Sequence, residues 1–240
     1  RKTLHAQIVS AIERLYADRL SEHVERLAHH AMRGQLWDQA VRYSRQAGNR
    51  ALDHAASGQA LAHLEQAQDA LQDLPASQER TEQRFDLCFD QRSALYLLGE
   101  FERVGEVLNE AHALAEGLDD QRRLGLALAY QANLYSILGE NARAIDAADR
   151  ARTIGEGVGD LGLRIVAKFY LGVALRLAGE LRRAADAQRA VIALLNGAPL
   201  GDRFGMAALP AVLARHNLAQ VLAELGEFTE AIAAGEEGLR

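Results

Sequence analysis

Four glycine-glutamate pairs divide this chain at regular intervals, at Gly99-Glu100, Gly139-Glu140, Gly179-Glu180 and Gly226-Glu227. Successive pairs lie 40, 40 and 47 residues apart, and each follows a run rich in leucine and alanine. Glycine adopts the left-handed conformation that ends a helix, and an acidic residue is favourable at the beginning of the next helix. The spacing therefore predicts a series of helical hairpins.

Residues 124–151 illustrate the predicted hairpin, with two helices joined by Gly139-Glu140. The first helix of the following hairpin, over residues 161–177, is apolar around most of its circumference, as expected of a helix packed between neighbours. A second helix is instead one-sided, and this division between first and second helices is typical of a solenoid. The apolar side of the second helix in residues 124–151 and just beyond holds Ala144, Ile145, Ala147, Ala148, Ala151 and Ile154.

The composition agrees with closely packed helices. Hydrophobic residues make up 49% of the chain but aromatic residues only 5%, so the core must consist mainly of alanine and leucine. These residues have the best helix propensities, and small side chains let helices approach each other. Only three prolines occur, which leaves long intervals for unbroken helices.

Several function classes are excluded by the same residues. The net charge of −6 argues against direct nucleic-acid binding, which requires clustered lysine and arginine. Cys88 is single, so no disulfide or thiolate zinc site can form within the chain, and the cytoplasm is the simplest location. No run is long and apolar enough for a membrane span. Neither a phosphate-binding loop nor a dinucleotide fingerprint occurs.

Histidine and serine positions do not predict a reaction centre. His29 and His30 are adjacent and would point about 100° apart on a helix. His23 and His30 share a face, but no carboxylate or cysteine completes a metal site with them. Ser93 and Ser136 have no histidine in their turns to act as a base. We therefore predict no catalytic residue, no cofactor and no metal.

The hairpins resemble the tetratricopeptide repeat over residues 80–240. The family's first helix carries a small pair followed by a large residue three positions on, and its second helix carries an alanine after a glycine-x-aromatic turn. The resemblance implies an all-α, right-handed α-α superhelix of antiparallel hairpins, with about eleven to twelve helices. The repeats of this chain are longer than the family's usual length of about 34 residues. Matching positions are Leu171-Gly172 with Leu175, Gln131-Ala132 with Tyr135, Leu218-Ala219 with Leu222, and Gly226-Glu227-Phe228 with Ala231.

The whole chain, residues 1–240, is predicted to be a single helical-repeat domain. Residues 1–75 form degenerate N-terminal helices at about 3–16, 21–33, 38–56 and 58–73, and residues 76–240 form the regular repeats, the last of them truncated. Its end lacks a polar capping helix, so self-association there is one expectation. The extra residues between the last two glycine-glutamate pairs fall in residues 196–202, ahead of a helix that Pro210 can begin. A surface insertion is favoured there over a functional lid.

The resemblance implies a binding surface on the first helices, which line the concave face in this family. Aromatic and amide side chains on such a surface suit a protein or peptide partner. Phe89, Tyr130 and Phe169 could equally belong to the core. Asp86 and Asp90 make one repeat acidic, which favours a basic or neutral partner. The candidate contacts are Asp86, Phe89, Asp90, Ser93, Tyr96, Tyr130, Asn133, Ser136, Ile137, Phe169, Tyr170, Arg176, His216, Asn217 and Gln220.

Residues 1–60 carry a second resemblance, to the junction between the ATPase module and the repeat region of bacterial multidomain signalling ATPases, many of which also carry an adenylate or guanylate cyclase domain. It implies a binding scaffold that is the regulatory arm of a longer protein, and Arg1 in place of methionine agrees with this. The alternatives are a stand-alone adaptor, the sensing arm of an ATP-dependent transcriptional regulator, and a repeat-fold enzyme or small-molecule receptor. The matching residues are Leu4-His5 with Ile8, Ala11-Ile12-Glu13, residues 27–30, residues 37–43 and Ala47-Gly48.

Overall fold

The computed structural model describes residues 1–196, 201–206 and 208–239. Within them the chain forms twelve α-helices and one 3-10 helix, Ala17–His23, which confirms the predicted all-α fold. Residues 197–200 of the predicted insertion lie outside the described residues. The α-helices are α1 (Lys2–Leu15), α2 (Val24–Gly34), α3 (Trp37–Asp53), α4 (Ser57–Gln72), α5 (Gln78–Leu98), α6 (Phe101–Gly117), α7 (Gln121–Ile137), α8 (Asn141–Val158), α9 (Leu161–Leu177), α10 (Leu181–Leu195), α11 (Pro210–Glu224) and α12 (Phe228–Gly238).

The contacts divide the chain into two compact units, Arg1–Leu114 and Ala115–Arg240, called unit 1 and unit 2 below. In unit 1 each helix from α1 to α5 packs on the next, and α3 also packs on α5. The first helices of two successive hairpins, α3-α4 and α5-α6, are therefore neighbours. Unit 2 repeats this arrangement, because α7 to α12 pack in consecutive order while α7 packs on α9 and α9 on α11.

The four glycine turns confirm the predicted hairpin ends. Gly99, Gly139, Gly179 and Gly226 have φ between 74° and 82°, the left-handed region in which glycine is favoured. The glutamate that follows makes no side-chain cap in the second helices that begin after Glu140, Glu180 and Glu227. Instead, its carboxylate pairs with the arginine three residues on in the first three turns, as Glu100-Arg103, Glu140-Arg143 and Glu180-Arg183.

Helix α8 has the one-sided character predicted for a second helix. Its buried residues are alanines and a glycine, while Arg143, Asp146, Asp149 and Arg150 are exposed. Helix α9 is buried around most of its circumference, as predicted for a first helix. At Gly172 a Cβ atom would lie 2.4 Å from Nε2 of Gln188 and 3.3 Å from Cβ of Ala187, so the small residue leaves room for the close approach of α9 and α10.

The degenerate N-terminal helices form near their predicted positions, with two differences. The helix predicted over residues 38–56 ends already at Asp53. The helix predicted over residues 21–33 begins only at Val24, because residues 17–23 form the 3-10 helix. Arg19 interrupts this segment with non-helical backbone angles, and the Tyr16 and His23 rings approach to 4.2 Å. Helix α11 begins at Pro210 as predicted. None of the described helices combines the length and the apolar character that crossing a membrane requires.

Candidate functional site

Helix α3 separates two open cavities of unit 1, which together we call the α3 groove. One has a volume of about 890 Å³ and lies between α3 and the segment from α1 to α2. The other has a volume of about 510 Å³ and lies between α3 and α5. Arg42, Gln46 and Asn49 line both cavities, so their polar side chains form a continuous surface along α3. Gln39, Gln83, Arg45, Arg50 and Tyr43 also contribute to it.

Glu13 holds the α1 side of this groove together. Its Oε1 atom accepts hydrogen bonds from Nε2 of Gln39 at 3.1 Å, from Nη2 of Arg42 at 3.2 Å and from the Tyr43 hydroxyl. Burial and the hydrogen bond to Glu13 raise the pKa of Tyr43, so its hydroxyl remains a donor. The result is a preformed polar cluster in which the charges of Glu13 and Arg42 compensate each other.

The structure places an arginine against Asp86 and Asp90, the residues that were predicted to make one repeat acidic. Arg45 of α3 lies between them, with Nε 2.5 Å from Oδ2 of Asp90 and Nη1 3.2 Å from Oδ2 of Asp86. Burial works to lower the pKa of Arg45, but the two carboxylates raise it. Burial raises the pKa of Asp90, while Arg45 acts to lower it. One guanidinium therefore cancels part of the negative charge that the sequence attributed to this repeat.

The other predicted contacts on α5 are engaged locally. Phe89 is half-buried, and its ring centroid lies 4.9 Å from that of Phe85. The Ser93 hydroxyl donates to the carbonyl of Phe89 at 3.1 Å. Tyr96 is 36% exposed and packs edge-on against Phe101. Of the two aromatic residues, Tyr96 has the more accessible ring.

In unit 2 the aromatic contacts predicted on α7 and α9 come together, but in the interior. Tyr130, Phe169 and Tyr170 are at most 8% exposed, and the Tyr170 centroid lies 5.5 Å from that of Tyr130 and 5.3 Å from that of Phe169. Ser136 is also buried. Packing therefore uses these side chains, which is the alternative left open above for Tyr130 and Phe169. A partner could contact these buried side chains only after the residues that cover them had moved.

The remaining candidates of unit 2 are spread over its surface. Arg176 of α9 pairs with Glu224 of α11 at 2.9 Å, a partner that the sequence did not suggest. Asn217 donates to the carbonyl of Leu213, one turn earlier in α11. His216, Gln220 and Ile137 are exposed, and Asn133 is half-buried.

The histidines and the cysteine have structural surroundings. His30 lies beside His5 of α1, with 2.8 Å between their Nδ1 atoms, a neighbour that the sequence did not indicate. Burial lowers the pKa of His30, and the nearby His29, His5 and Arg26 add to this effect. Burial raises the pKa of the Cys88 thiol to about 12. Among the described residues, no group of three or more histidine, cysteine, aspartate and glutamate side chains could hold a metal ion.

Sequence reasoning missed the α3 residues of the groove, because the candidates were taken only from residues beyond 80. The signal was present. Arg42, Gln46, Asn49, Arg50 and Asp53 recur at helical spacing, which places them on one face of α3. Ala40, Ser44, Ala47 and Gly48, the buried residues between them, mark the opposite face as the packed one.

Comparisons with known proteins give the fold and no family. No family model matches the sequence, and no curated protein matches it. Solved structures do match. BtubC (BKLC) from P. vanneervenii has a TM-score of 0.69 at 17% identity, with 96% of this chain and 90% of that chain covered. The nearly identical TPR-like repeats of a Podosopora anserina kinesin light chain have a TM-score of 0.62 at 16% identity, with 83% and 93% covered.

A further match is a Rap protein in complex with competence and sporulation factor, with a TM-score of 0.70 at 13% identity. The match covers 84% of this chain but only 53% of the Rap protein, so the present chain corresponds to about half of it. Identities this low carry information on architecture alone. Together with the consecutive helix hairpins, they show that this chain has a tetratricopeptide-like repeat fold.

Proposed function

We propose that this chain is a protein-protein interaction scaffold and that the α3 groove of unit 1 binds an extended peptide segment of its partner. The proposal assigns no catalytic step and no cofactor to the chain. One observation carries it: polar side chains of a single helix line two adjoining open cavities, where Gln46 is exposed and Asn49, which also hydrogen-bonds Asp90, is half-buried.

The chemistry of the groove fits a peptide main chain. An amide side chain offers both donor and acceptor groups, so Gln46 and Asn49 can pair with the N–H and C=O groups of one extended segment. Gln46 is exposed and Asn49 half-buried, and both line the two cavities. Gln39 of α3 and Gln83 of α5 add further amides to the cavity between these two helices.

The charges of the groove are nearly balanced and mostly engaged. Glu13 holds Arg42, and Asp86 and Asp90 hold Arg45. Arg50 donates from Nη1 to the main-chain carbonyl of Ser21. A partner of strong net charge is therefore not required, and main-chain hydrogen bonding is expected to dominate recognition. The Rap protein of similar fold, solved with competence and sporulation factor, supports a binding role for such an architecture.

The test uses a displayed library of random peptides of about twelve residues, selected on the wild-type protein. Selected peptides should lose affinity for the Gln46→Ala/Asn49→Ala variant. Two hydrogen bonds of about 0.5–1.5 kcal/mol each correspond to a loss of roughly 5- to 150-fold. The affinity is measured by fluorescence anisotropy, and circular dichroism checks that the variant is folded.

The matched control removes two exposed glutamines from α4, in the Gln59→Ala/Gln66→Ala variant. It should bind the same peptides as the wild type does. If the groove variant also retained wild-type affinity for every selected peptide, the α3 groove would not be the binding site.

The finer proposal is that the scaffold is the regulatory arm of a bacterial signalling ATPase or nucleotidyl cyclase and therefore acts in the cytoplasm. It rests on the junction-like residues of α1 to α3, which include Glu13 and Tyr43 of the groove. The alternatives, a stand-alone adaptor or the sensing arm of an ATP-dependent transcriptional regulator, use the same binding surface. A parent gene encoding an ATPase module ahead of these repeats would support the finer proposal, and one encoding the repeats alone would contradict it.

A further inference from the structure

Unit 2 contains a segment that its helix hairpins do not require. The step between the last two glycine turns is 47 residues instead of 40, and the extra length lies between α10 and α11. These two helices pack on each other directly, as consecutive helices do elsewhere in the chain. Residues 201–206 of this connection, Gly-Asp-Arg-Phe-Gly-Met, are described and belong to neither helix.

This segment lies against the first helices of unit 2. The Tyr130 hydroxyl of α7 donates to the carbonyl of Gly205 at 2.6 Å, across 75 positions of sequence. The Phe204 ring packs against Gly162 of α9. A Cβ atom on Gly162 would lie only 2.9 Å from the Cδ1 atom of Phe204. Met206 is only 4% exposed, whereas Gly201, Asp202 and Arg203 are exposed.

The segment is held in an uncommon conformation. Phe204 and Gly205 both have positive φ, at 48° and 78°. This conformation is unfavourable for a residue with a side chain, so contacts must maintain it at Phe204. A Cβ atom on Gly205 would lie 3.2 Å from the Tyr130 hydroxyl oxygen, which selects glycine at that position. The surface thus accommodates a left-handed glycine and its carbonyl, with the Phe204 ring against Gly162 of α9 and Met206 buried.

We propose that Tyr130 and Gly162 form a peptide-binding site in unit 2, that residues 201–206 occupy it as an intramolecular ligand, and that the partner is a peptide with a glycine between two large apolar residues. Such a partner binds by displacing residues 201–206 from Tyr130. A tethered segment competes at an effective concentration on the order of millimolar, so it weakens partner binding without abolishing it. This site is separate from the α3 groove and does not depend on the function proposed for it.

The test supplies the segment in trans. The probe is the acetylated and amidated hexapeptide Gly-Asp-Arg-Phe-Gly-Met, titrated to millimolar concentration into isotopically labelled protein and followed by nuclear magnetic resonance. The Phe204→Ser/Met206→Ser variant keeps the loop length and Gly205 but loses both apolar side chains. It should bind the hexapeptide at least about tenfold more tightly than the wild type, whose own segment competes.

Two controls define the site. A peptide with serine in place of phenylalanine and methionine should not bind. Adding Tyr130→Phe to the loop variant should weaken hexapeptide binding by roughly 2- to 12-fold, the equivalent of one hydrogen bond. Equal binding to the wild type and the folded loop variant, no binding to that variant at millimolar peptide, or an unchanged affinity after Tyr130→Phe would overturn the proposal. If the double variant does not fold, Met206→Ser alone is compared with the wild type in the same way.

Discussion

The two units build the same hairpins but present different chemistry on their first helices. In unit 1 the accessible side of α3 carries arginine and amide side chains that line open cavities. In unit 2 the aromatic residues of α7 and α9 that were predicted to contact a partner are buried, and a segment of the chain lies against Tyr130. The repeat specifies its small packing positions and leaves the remaining positions free to vary. One architecture can therefore hold a polar surface and an aromatic one.

The largest effect is expected from overpacking unit 2. Ala144 of α8 is fully buried, and Ala144→Trp should lower the free energy of unfolding by about 3 kcal/mol or more, because a well-packed interface cannot take up the added volume. Urea denaturation measures this loss. The matched control is Ala142→Trp on the same helix, where the alanine is exposed and the change should be small. If Ala144→Trp were silent, small-residue packing would not hold the hairpins of unit 2.

A smaller effect is expected in unit 1, where charge rather than volume joins α3 to α5. Arg45→Met leaves Asp86 and Asp90 side by side and should cost about 1–2 kcal/mol. This is below the 3–5 kcal/mol of a fully buried pair, because Arg45 and Asp86 keep 34% and 42% of their side-chain exposure. Adding Asp90→Asn should recover part of the loss. A double-mutant cycle without coupling would show that the ion pairs do not stabilise this contact.

The smallest expected effect is the change of stability with pH, which should differ between the two units because different groups titrate in each. In unit 1 the pKa of folded His30 is lowered below 6.5, so its contribution to stability is present above pH 6.5 and is lost as the pH falls from there through the folded pKa. In unit 2 burial works to raise the pKa of Asp160, but hydrogen bonds from the Leu163 N–H and Arg122 lower it below 3.8. Its contribution should persist until the pH falls below 3.8 and through the folded pKa.

Melting temperatures measured from pH 8 to pH 3 check this order. His30→Asn should flatten the decrease between pH 7 and pH 5 without changing the decrease at lower pH. Asp160→Asn should lower the melting temperature at neutral pH and flatten the acid limb, since asparagine still caps the helix but neither titrates nor forms the ion pair with Arg122. A wild-type profile that is flat from pH 8 to pH 4 would contradict the role of His30.

Local features of the fold could be predicted from the sequence, because their causes lie within a few residues. The left-handed glycines, the start of α11 at Pro210 and the one-sided α8 follow from turn chemistry and helical periodicity. The polar face of α3 was equally predictable from its spacing, but it was overlooked because residues 1–75 matched the repeat poorly.

The features that decide which side chains are accessible join distant residues. Arg45 meets Asp86 and Asp90 across 41 and 45 positions, and Tyr130 meets Gly205 across 75. No pattern within one repeat indicates such pairs. The repeat spacing predicted a longer connection ahead of α11, but the spacing alone could not indicate that Gly205 would accept a hydrogen bond from the Tyr130 hydroxyl. The residue types on a predicted helix face therefore do not show whether those residues contact a partner or belong to the core, because an inserted segment can cover that face.

The glutamate-arginine pairs at the hairpin turns have a consequence for how the chain can change in length. Glu100-Arg103, Glu140-Arg143 and Glu180-Arg183 each lie within four residues of a single turn, so both charges of each pair come from the same hairpin, although Arg103 also pairs with Glu65 of α4. A hairpin carries its own turn chemistry with it when it is duplicated or deleted. An array that gains or loses a whole hairpin would then need new side chains only where that hairpin meets its two neighbours. Local contacts of this kind also favour rapid folding.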